Sequence, residues 1–389
     1  MSLETHRRTQ FAATAEQLEI GALAREVAQR EIAPHIAAWD RAHLFPRELY
    51  GKLNAAGLMG LPVAERYDGA GVDYVSCALA LEEIARVDAG TAVTLSVHYM
   101  IAAAIQRLGS DAQKEKYLPM LAAGDKIAGF ALTEPGAGSD AAAIRSTARR
   151  DGDAYVLNGR KQWCTNGGFA SVTMAMFRTG GPGAKGVSAF LIDADTPGVV
   201  VEKVTEKLGI HTSNTVDLAY EEARIQADAL LGAEGSGFTS ALGALTTGRI
   251  GIAAQATGIL AACLDASVKF AKEREAFGKP IGAFEGVSFK IAQMATDLDA
   301  ARLLVQRAAG LYDAGEPFAA EASKAKLFAS TAARRHAAEA VQIHGGYGYT
   351  TEFPVERYYR DAKITEIYEG TSEIQQVIIA RSLLGRFDA

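Results

Sequence analysis

The sequence predicts an α+β multidomain chain: an N-terminal all-α domain over residues 1–126, a central β-barrel or sandwich domain over 127–235, and a C-terminal four-helix bundle over 236–389. Three observations carry this. Apolar residues recur at helical spacing up to about residue 124, give way to short β-branched and aromatic runs, and return in long stripes from about residue 236. Turn dipeptides recur between the short runs of the middle third, as at Asp151-Gly152, Asn166-Gly167 and Pro197-Gly198. A chain of 389 residues also exceeds one ordinary core, which favours two or three domains.

In the first block Leu18, Ala22, Leu23 and Val27 share one face, and the pattern stops near Pro34. Pro46 is expected at the first helical position ahead of Arg-Glu-Leu-Tyr. Pro62 to Gly71 is turn-rich, with Asp68-Gly69 and Gly71 as breakers. Helical patterning resumes at 76–88, 92–108 and 111–122. Such a block is expected to bury a core of its own. The second block offers strands at 127–132, 144–149, 154–158, 171–178, 186–192, 199–203 and 215–220. Asn158-Gly159, between two such runs, reads as a hairpin turn. In the third block Ile291, Met294, Leu298, Ala301, Val305 and Ala308 form a stripe within 289–312. Similar patterns run through 239–273, 317–343 and 373–384, with a break at Gly345-Gly346-Tyr347-Gly348, and together they suggest a bundle.

Composition narrows the function. A net charge of -6 argues against a general nucleic-acid binder. Cys77, Cys164 and Cys263 are odd in number and in no ligand spacing, which fits a reducing, cytoplasmic setting. Histidines 6, 35, 43, 98, 211, 336 and 344 show no metal-ligand spacing, so no metal is expected. No charge-free stretch of about 18 apolar residues occurs, so no membrane-spanning helix is expected. Met1 to Gln10 is charged with no apolar run behind it, so no secretory signal is expected.

The sharpest ligand-type signal is Thr133-Glu134-Pro135-Gly136-Ala137-Gly138-Ser139-Asp140. Gly136, Gly138 and Ala141 satisfy a loose dinucleotide fingerprint after a strand. Hairpin-like strands follow instead of a crossover helix, so a nucleotide-binding α/β unit is rejected. A small-residue loop can still bring backbone N–H groups to a planar or phosphorylated ligand, and a plain β-turn is the alternative. Trp163-Cys164-Thr165-Asn166-Gly167 closes a strand with an aromatic and a hydroxyl, and alone reads as a core Trp before a turn. Arg274, ahead of Phe277-Gly278-Lys279-Pro280, sits at the close of a long helix, where it answers the dipole or reaches an anionic ligand. Arg249 lies near the start of that helix beside Gly248.

Glu369 stands between Tyr368 and Gly370, just before a helix start. There Ser372 and Gln375 fit the capping-box spacing, and Thr371 is an equally good N-cap. A carboxylate on a Gly-hinged turn beside an aromatic is placed to act as a general base. On these residues alone, a surface acid complementing the helix dipole is the simpler reading.

Together the motifs resemble the acyl-CoA dehydrogenase family, most closely its short-chain (butyryl-type) branch. The resemblance runs from Asp40-Arg-Ala-His-Leu-Phe-Pro46 through Phe130 to Ser139 and Leu157 to Trp163. It continues through the Arg274 and Phe277-Gly278 segment and Gly345-Gly-Tyr-Gly-Tyr349 to Ile367-Tyr-Glu-Gly-Thr-Ser-Glu373. It implies FAD between the central domain and the bundle, an acyl-CoA thioester against the flavin, and a homotetramer built as a dimer of dimers. By position, Phe130, Leu132, Thr133, Trp163 and Thr165 would line the isoalloxazine, and Ser139 would touch cofactor and the CoA side of the substrate. Arg274, Gln342, Gly345 and Gly346 would bind the FAD of a neighbouring subunit, with Phe277 also at the cofactor. Thr371 and Glu373 would contact their own subunit's FAD. Arg249 would stand by the base, Tyr368 and Gly370 would border the thioester, and Thr246 would lie by the substrate.

The chemistry implied is α,β-dehydrogenation of a short- to medium-chain acyl-CoA, Glu369 removing the thioester α-proton as a β-hydride passes to the flavin, giving a trans-2-enoyl-CoA. Electrons would then pass to electron-transferring flavoprotein. Some members carry their base at the position that is Gly248 here, which cannot serve. Two departures stand out. Glu285 replaces a usual Gln, and its charge would repel the FAD diphosphate, so it is given no role. Thr246 replaces an Asp that touches the pantetheine. Branched short acyl groups, an oxidase of the same fold, and a flavin-less helical scaffold remain as alternatives.

Overall fold

The computed structural model describes residues 13–124 and 126–385. The chain opens with α1 (Ala15–Val27), α2 (Ile36–Ala42), α3 (Arg47–Ala55), α4 (Tyr74–Ala85), α5 (Ala89–Leu108) and α6 (Asp111–Ala122). Their starts follow local chemistry. Thr14 with Gln17, and Ser110 with Gln113, form capping boxes on α1 and α6, while Asp73 and Asp88 cap α4 and α5. Pro46 is the N-cap of α3 and not its first helical residue, because its ψ of 74° lies outside helical geometry.

The N-terminal helices do not close a core of their own. Every residue of α5 from Ala89 to Ile105 is buried, so this helix needs neighbours on all sides. They come from the C-terminal part of the chain. Leu81 and Ile84 of α4 and Met100 of α5 join Ile252 and Ile259 of the later helix α7 (Gly237–Glu273) in one apolar cluster. The central domain keeps a separate core of Tyr155, Leu157, Phe177, Phe190, Leu218 and Tyr220.

That domain carries β1 (Ile127–Ala131), β2 (Thr147–Asp151), β3 (Ala154–Thr165), β4 (Ala170–Arg178), β5 (Val187–Asp193), β6 (Val199–Val204), β7 (Thr215–Gln226) and β8 (Leu230–Leu231). The order is β6-β7-β3-β2-β4-β5-β8, with β1 parallel to β4. Asp151-Gly152 makes the β2–β3 hairpin, with Asp151 opposite Ala154. Asn158-Gly159 is not a turn; it lies inside β3 at a register shift. A Cβ on Gly159 would stand 2.3 Å from Ser146 Oγ, so this glycine permits a close approach of two strands.

The third block holds α7, α8 (Glu285–Asp313), α9 (Ala319–His344) and α11 (Ser372–Leu384), with the short α10 (Val355–Ile364) between the last two. α10 carries a short apolar stripe of Val355, Tyr358 and Ala362 that packs on the core, with Arg357 and Asp361 also buried. By length and composition α7 could cross a membrane, but 83% of its most apolar window is buried inside the protein, as befits a central core helix. Cys77, Cys164 and Cys263 are all buried free thiols. No cluster of metal-ligating side chains occurs among the described residues.

Candidate active site

Phe130, Leu132, Thr133, Ser139, Trp163, Thr165, Arg249, Tyr368, Glu369, Gly370 and Thr371 line one cavity of about 520 Å³. It lies where the ends of β1 and β3 face α7 and the turn joining α10 to α11.

The β wall is held by buried charge. Glu134 and Ala137 exchange backbone hydrogen bonds of 3.1 and 3.0 Å, closing the small-residue loop into a turn. The Glu134 carboxylate accepts from Lys161 Nζ at 2.6 Å and from the backbone N–H groups of Arg145 and Ser146 at 2.6 and 3.0 Å. Burial raises this carboxyl, but Lys161 and the two amides outweigh it and hold Glu134 below the usual range. Trp163 takes the left-handed conformation, φ 56°, and its N–H donates to Asp217 Oδ1 at 3.1 Å. The indole therefore leaves the strand's packed face and stands 58% exposed on the cavity wall, not in the core.

The opposite wall carries the carboxylate. Glu369 and Gly370 are both left-handed, φ 53° and 89°, so the chain reverses sharply after α10 and turns two carbonyls inward. Thr371 is the N-cap of α11, accepting from Ile374 N–H at 3.4 Å, and Ser372 is already helical. Gln375 makes no capping box. Its amide instead donates to the Glu369 and Gly370 carbonyls at 3.2 and 2.7 Å. Arg249 Nε donates to the Glu369 carbonyl at 3.3 Å, and Lys326 Nζ donates to the Gly370 carbonyl at 2.8 Å. Helices α7, α9 and α11 thus each send one donor to this turn. The Tyr368 hydroxyl donates to Gln255 Oε1, whose own amide donates to the Ala89 carbonyl at 2.7 Å.

The Glu369 side chain is accessible from the cavity, but its Oε2 is sealed and has no hydrogen-bond partner. Gly248 makes the space: a Cβ there would lie 2.8 Å from Oε2 and 2.8 Å from Met100 Sδ. Burial raises the Glu369 carboxyl to about 7, with Arg249 and Lys326 pulling it back. Burial lowers the Lys326 ammonium to about 8, with the Glu369 carboxylate opposing. An unpaired carboxylate with that affinity can accept a proton near neutrality and hold it.

Family models for the acyl-CoA dehydrogenase N-terminal, middle and C-terminal domains match residues 14–125, 129–223 and 235–384 in turn. The chain belongs to the acyl-CoA dehydrogenase family. A relative, the mitochondrial short-chain specific acyl-CoA dehydrogenase of Mus musculus, is 49% identical over 362 residues, covering 92% of this chain and 88% of its own. The butyryl-CoA dehydrogenase of Megasphaera elsdenii superposes with a TM-score of 0.95 at 42% identity, over 96% of this chain and 99% of that one. A glutaryl-CoA dehydrogenase of Mycobacterium smegmatis in complex with FADH2 superposes with a TM-score of 0.90 at 32% identity, over 96% of each chain.

In this acyl-CoA dehydrogenase family member the remaining expected residues stand elsewhere. Thr246 is one turn before Arg249 and accepts from its guanidinium at 3.4 Å without lining the cavity. Glu373 is exposed in the first turn of α11. Arg274, Phe277, Gln342, Gly345 and Gly346 are also outside the cavity. Arg274 lies over the Tyr347 ring at 5.7 Å, and Phe277 is 97% exposed with φ 52°. Glu285 is the exposed first residue of α8. The sequence reading missed the cavity's third side, residues such as Lys207, Leu208 and Ile210 before β7, and Val93 and Val97 of α5. It also missed Lys326, whose signal was visible. This lysine interrupts the buried stripe Ala322, Ala325, Ala329 and Ala333 of α9.

Proposed function

We propose that the chain is an FAD-dependent dehydrogenase of short straight-chain acyl-CoA thioesters, with Glu369 as the base that removes the α-proton. The observation that carries this reading is a buried carboxylate left unpaired against a largely apolar cavity, facing a wall that presents an exposed Trp163.

The residues present fit FAD. An indole 58% exposed on a cavity wall is suited to cover a flat aromatic ring. A Cβ at Gly136 or Gly138 would meet nothing, so the small-residue loop has room for a ligand to approach its backbone. Phe130, Leu132, Thr133, Trp163 and Thr165 would hold the ring, Ser139, Thr371 and Glu373 the remainder. Arg274, Phe277, Gln342, Gly345 and Gly346 form a second half-site, offered to a neighbouring subunit of a homotetramer. That none of them lines this chain's own cavity supports that reading. When bound, the flavin supplies the acceptor for the β-hydride.

The chain's own residues supply the rest. Burial makes Glu369 a stronger base than a solvated carboxylate while leaving it ionised in part at neutral pH. Arg249, Gln375 and Lys326 hold its turn, so the carboxylate keeps one orientation toward the cavity. Tyr368 and Gly370 border the thioester. Val93, Val97 and Leu245 give the cavity apolar sides that exclude water from the acyl chain. The short-chain assignment draws on the names of the relatives above, and electron-transferring flavoprotein as acceptor follows from the family.

Anaerobic mixing of the yellow holoprotein with butyryl-, hexanoyl-, octanoyl- and isobutyryl-CoA tests the reading. Bleaching of the flavin with formation of a trans-2-enoyl-CoA is expected with butyryl-CoA. No bleaching with any straight-chain thioester would sink it. Rapid stoichiometric peroxide in air, with no other acceptor, would point to an oxidase instead.

A further inference from the structure

We infer that Lys326 is a positioning residue for the base, holding the Glu369–Gly370 turn against α9 while its charge favours the ionised form of the Glu369 carboxyl. The inference rests on the reading of Glu369 as the base.

Lys326 lies in the middle of α9 and is 0% exposed, on a helix face otherwise filled by small residues, alanines with Ser323 and Ser330. A buried ammonium is costly unless something answers its charge. Its hydrogen bond is to a neutral group, the Gly370 carbonyl at 2.8 Å. The strongest attraction it feels is to the Glu369 carboxylate, ahead of Glu366 and Glu373, with Arg249 repelling it. The ammonium is therefore fixed beside the base without closing an ion pair on it. A direct contact would quench the carboxylate as a proton acceptor; a charge one residue away favours ionisation and leaves the lone pairs free.

Among the other groups facing Glu369, Arg249 shares this role and exerts the larger of the two cationic pulls on the carboxyl, while the rest are neutral. Arg249 from α7 supplies a second cation, and burial lowers its affinity for a proton. Tyr74 from α4 is neutral, its phenol held well above the ordinary value by burial. Tyr368 on the same turn is neutral for the same reason. Gln375 from α11 is an uncharged donor to both carbonyls. Because Gln375 also holds the Gly370 carbonyl, the turn keeps a tether when Lys326 is replaced, and charge can be separated from tethering.

The test follows Glu369 directly. Infrared difference spectra between the holoprotein and its Glu369→Gln variant, taken across pH, report the protonation of this one carboxyl without turnover. In Lys326→Met the midpoint is expected to move up by about 1 on the pH scale, the lower end of what a neighbouring opposite charge does. Lys326→Arg is expected to stay near the parent. Lys326→Gln, uncharged but able to donate, serves if Met does not fold, and should move like Met. In stopped-flow flavin reduction by butyryl-CoA, Lys326→Met should lose about fivefold at pH 7 and recover as pH rises, with KM little changed.

An unmoved midpoint in the uncharged variants, or an equal move in Lys326→Arg, overturns the inference. So does a rate loss that is the same at every pH, which a purely structural tie would give. The infrared arm decides Lys326 even if no acyl-CoA bleaches the flavin, a result that would count against the proposed reaction alone.

Discussion

Two buried glutamate–lysine pairs of opposite character stand in the molecule, one in the central domain and one between the C-terminal helices. In the central domain Glu134 is 8% exposed and Lys161 0%, and they touch at 2.6 Å, with two backbone amides also donating to the carboxylate. Between the helices, Lys326 is equally buried, yet its ammonium goes to a main-chain carbonyl and the Glu369 carboxylate keeps an oxygen without any partner. The outcome differs in sign. Glu134 is held below the usual carboxylate range, while Glu369 is raised to about 7. Burial alone does not make a base; burial with the partner withheld does. The first pair closes a loop that shapes the binding wall, and the second keeps a carboxylate reactive.

The largest effect expected from breaking this contrast is on the unpaired side. Glu369→Gln keeps the shape of the turn and removes the proton acceptor, so flavin reduction should fall by about 10²- to 10⁴-fold. FAD absorbance and acyl-CoA binding should persist, as read by rapid anaerobic mixing and equilibrium titration. Near-normal reduction in that variant would place the base elsewhere. On the paired side the same kind of change should act on stability. Lys161→Met leaves Glu134 buried without its cation, at a cost of about 3–5 kcal/mol. Adding Glu134→Leu should return most of that loss, measured by urea denaturation midpoints. If the single and double variants unfold alike, the pair is not coupled as its geometry implies.

Gly248→Ala probes the space that keeps Glu369 free. The added Cβ would stand 2.8 Å from Oε2, against helix backbone that cannot retreat, so the carboxylate must move. A displacement near 1 Å should lower the reduction rate by about 10- to 100-fold. Thermal stability should change little, since Ala favours a helix more than Gly does. The pH profile sharpens the contrast further. As the proposed base, Glu369 would work only as the carboxylate, and its midpoint lies at about 7, so the rate should rise with pH and level off above that point. At pH 6 roughly a tenth of the plateau is expected by simple titration of one group. Glu134, held low, should add no step in this range; a second inflection lost in Lys161→Met would contradict the comparison.

Much of the site was legible in the sequence because it is built from short contiguous runs. Phe130 to Ser139, Trp163 to Thr165 and Tyr368 to Thr371 each deliver several lining residues from one strand end or turn, and the change in hydrophobic period marked the three blocks. What stayed hidden was assembled across the chain. Lys326, Gln375 and Gln255 reach the turn from three helices, and the residues from Lys207 to Ile210 join the cavity through the packing of the loop before β7. Asn158-Gly159 misled because strand bulges and hairpins use the same dipeptide, and only the proximity of Ser146 distinguishes them. The N-terminal helices misled because a helix apolar on all sides gives no hint of which element covers it. Arg274 and its neighbours are legible by resemblance only, since they stand outside this chain's cavity.

The smallest expected effect tests whether charge, not polarity, separates the two glutamates. The Tyr368 hydroxyl and Gln255 form a third buried pair beside the base, wholly neutral, with Gln255 anchored onward to the Ala89 carbonyl. Tyr368→Phe removes one donor and leaves one amide oxygen unpaired, a loss of about 1–2 kcal/mol in stability. No charge near Glu369 changes, so the infrared midpoint of its carboxyl should hold at the parent value while the denaturation midpoint falls. A midpoint that moved as far as in Lys326→Met would mean that the hydrogen-bond network around the turn, and not the nearby ammonium, sets the ionisation of the base.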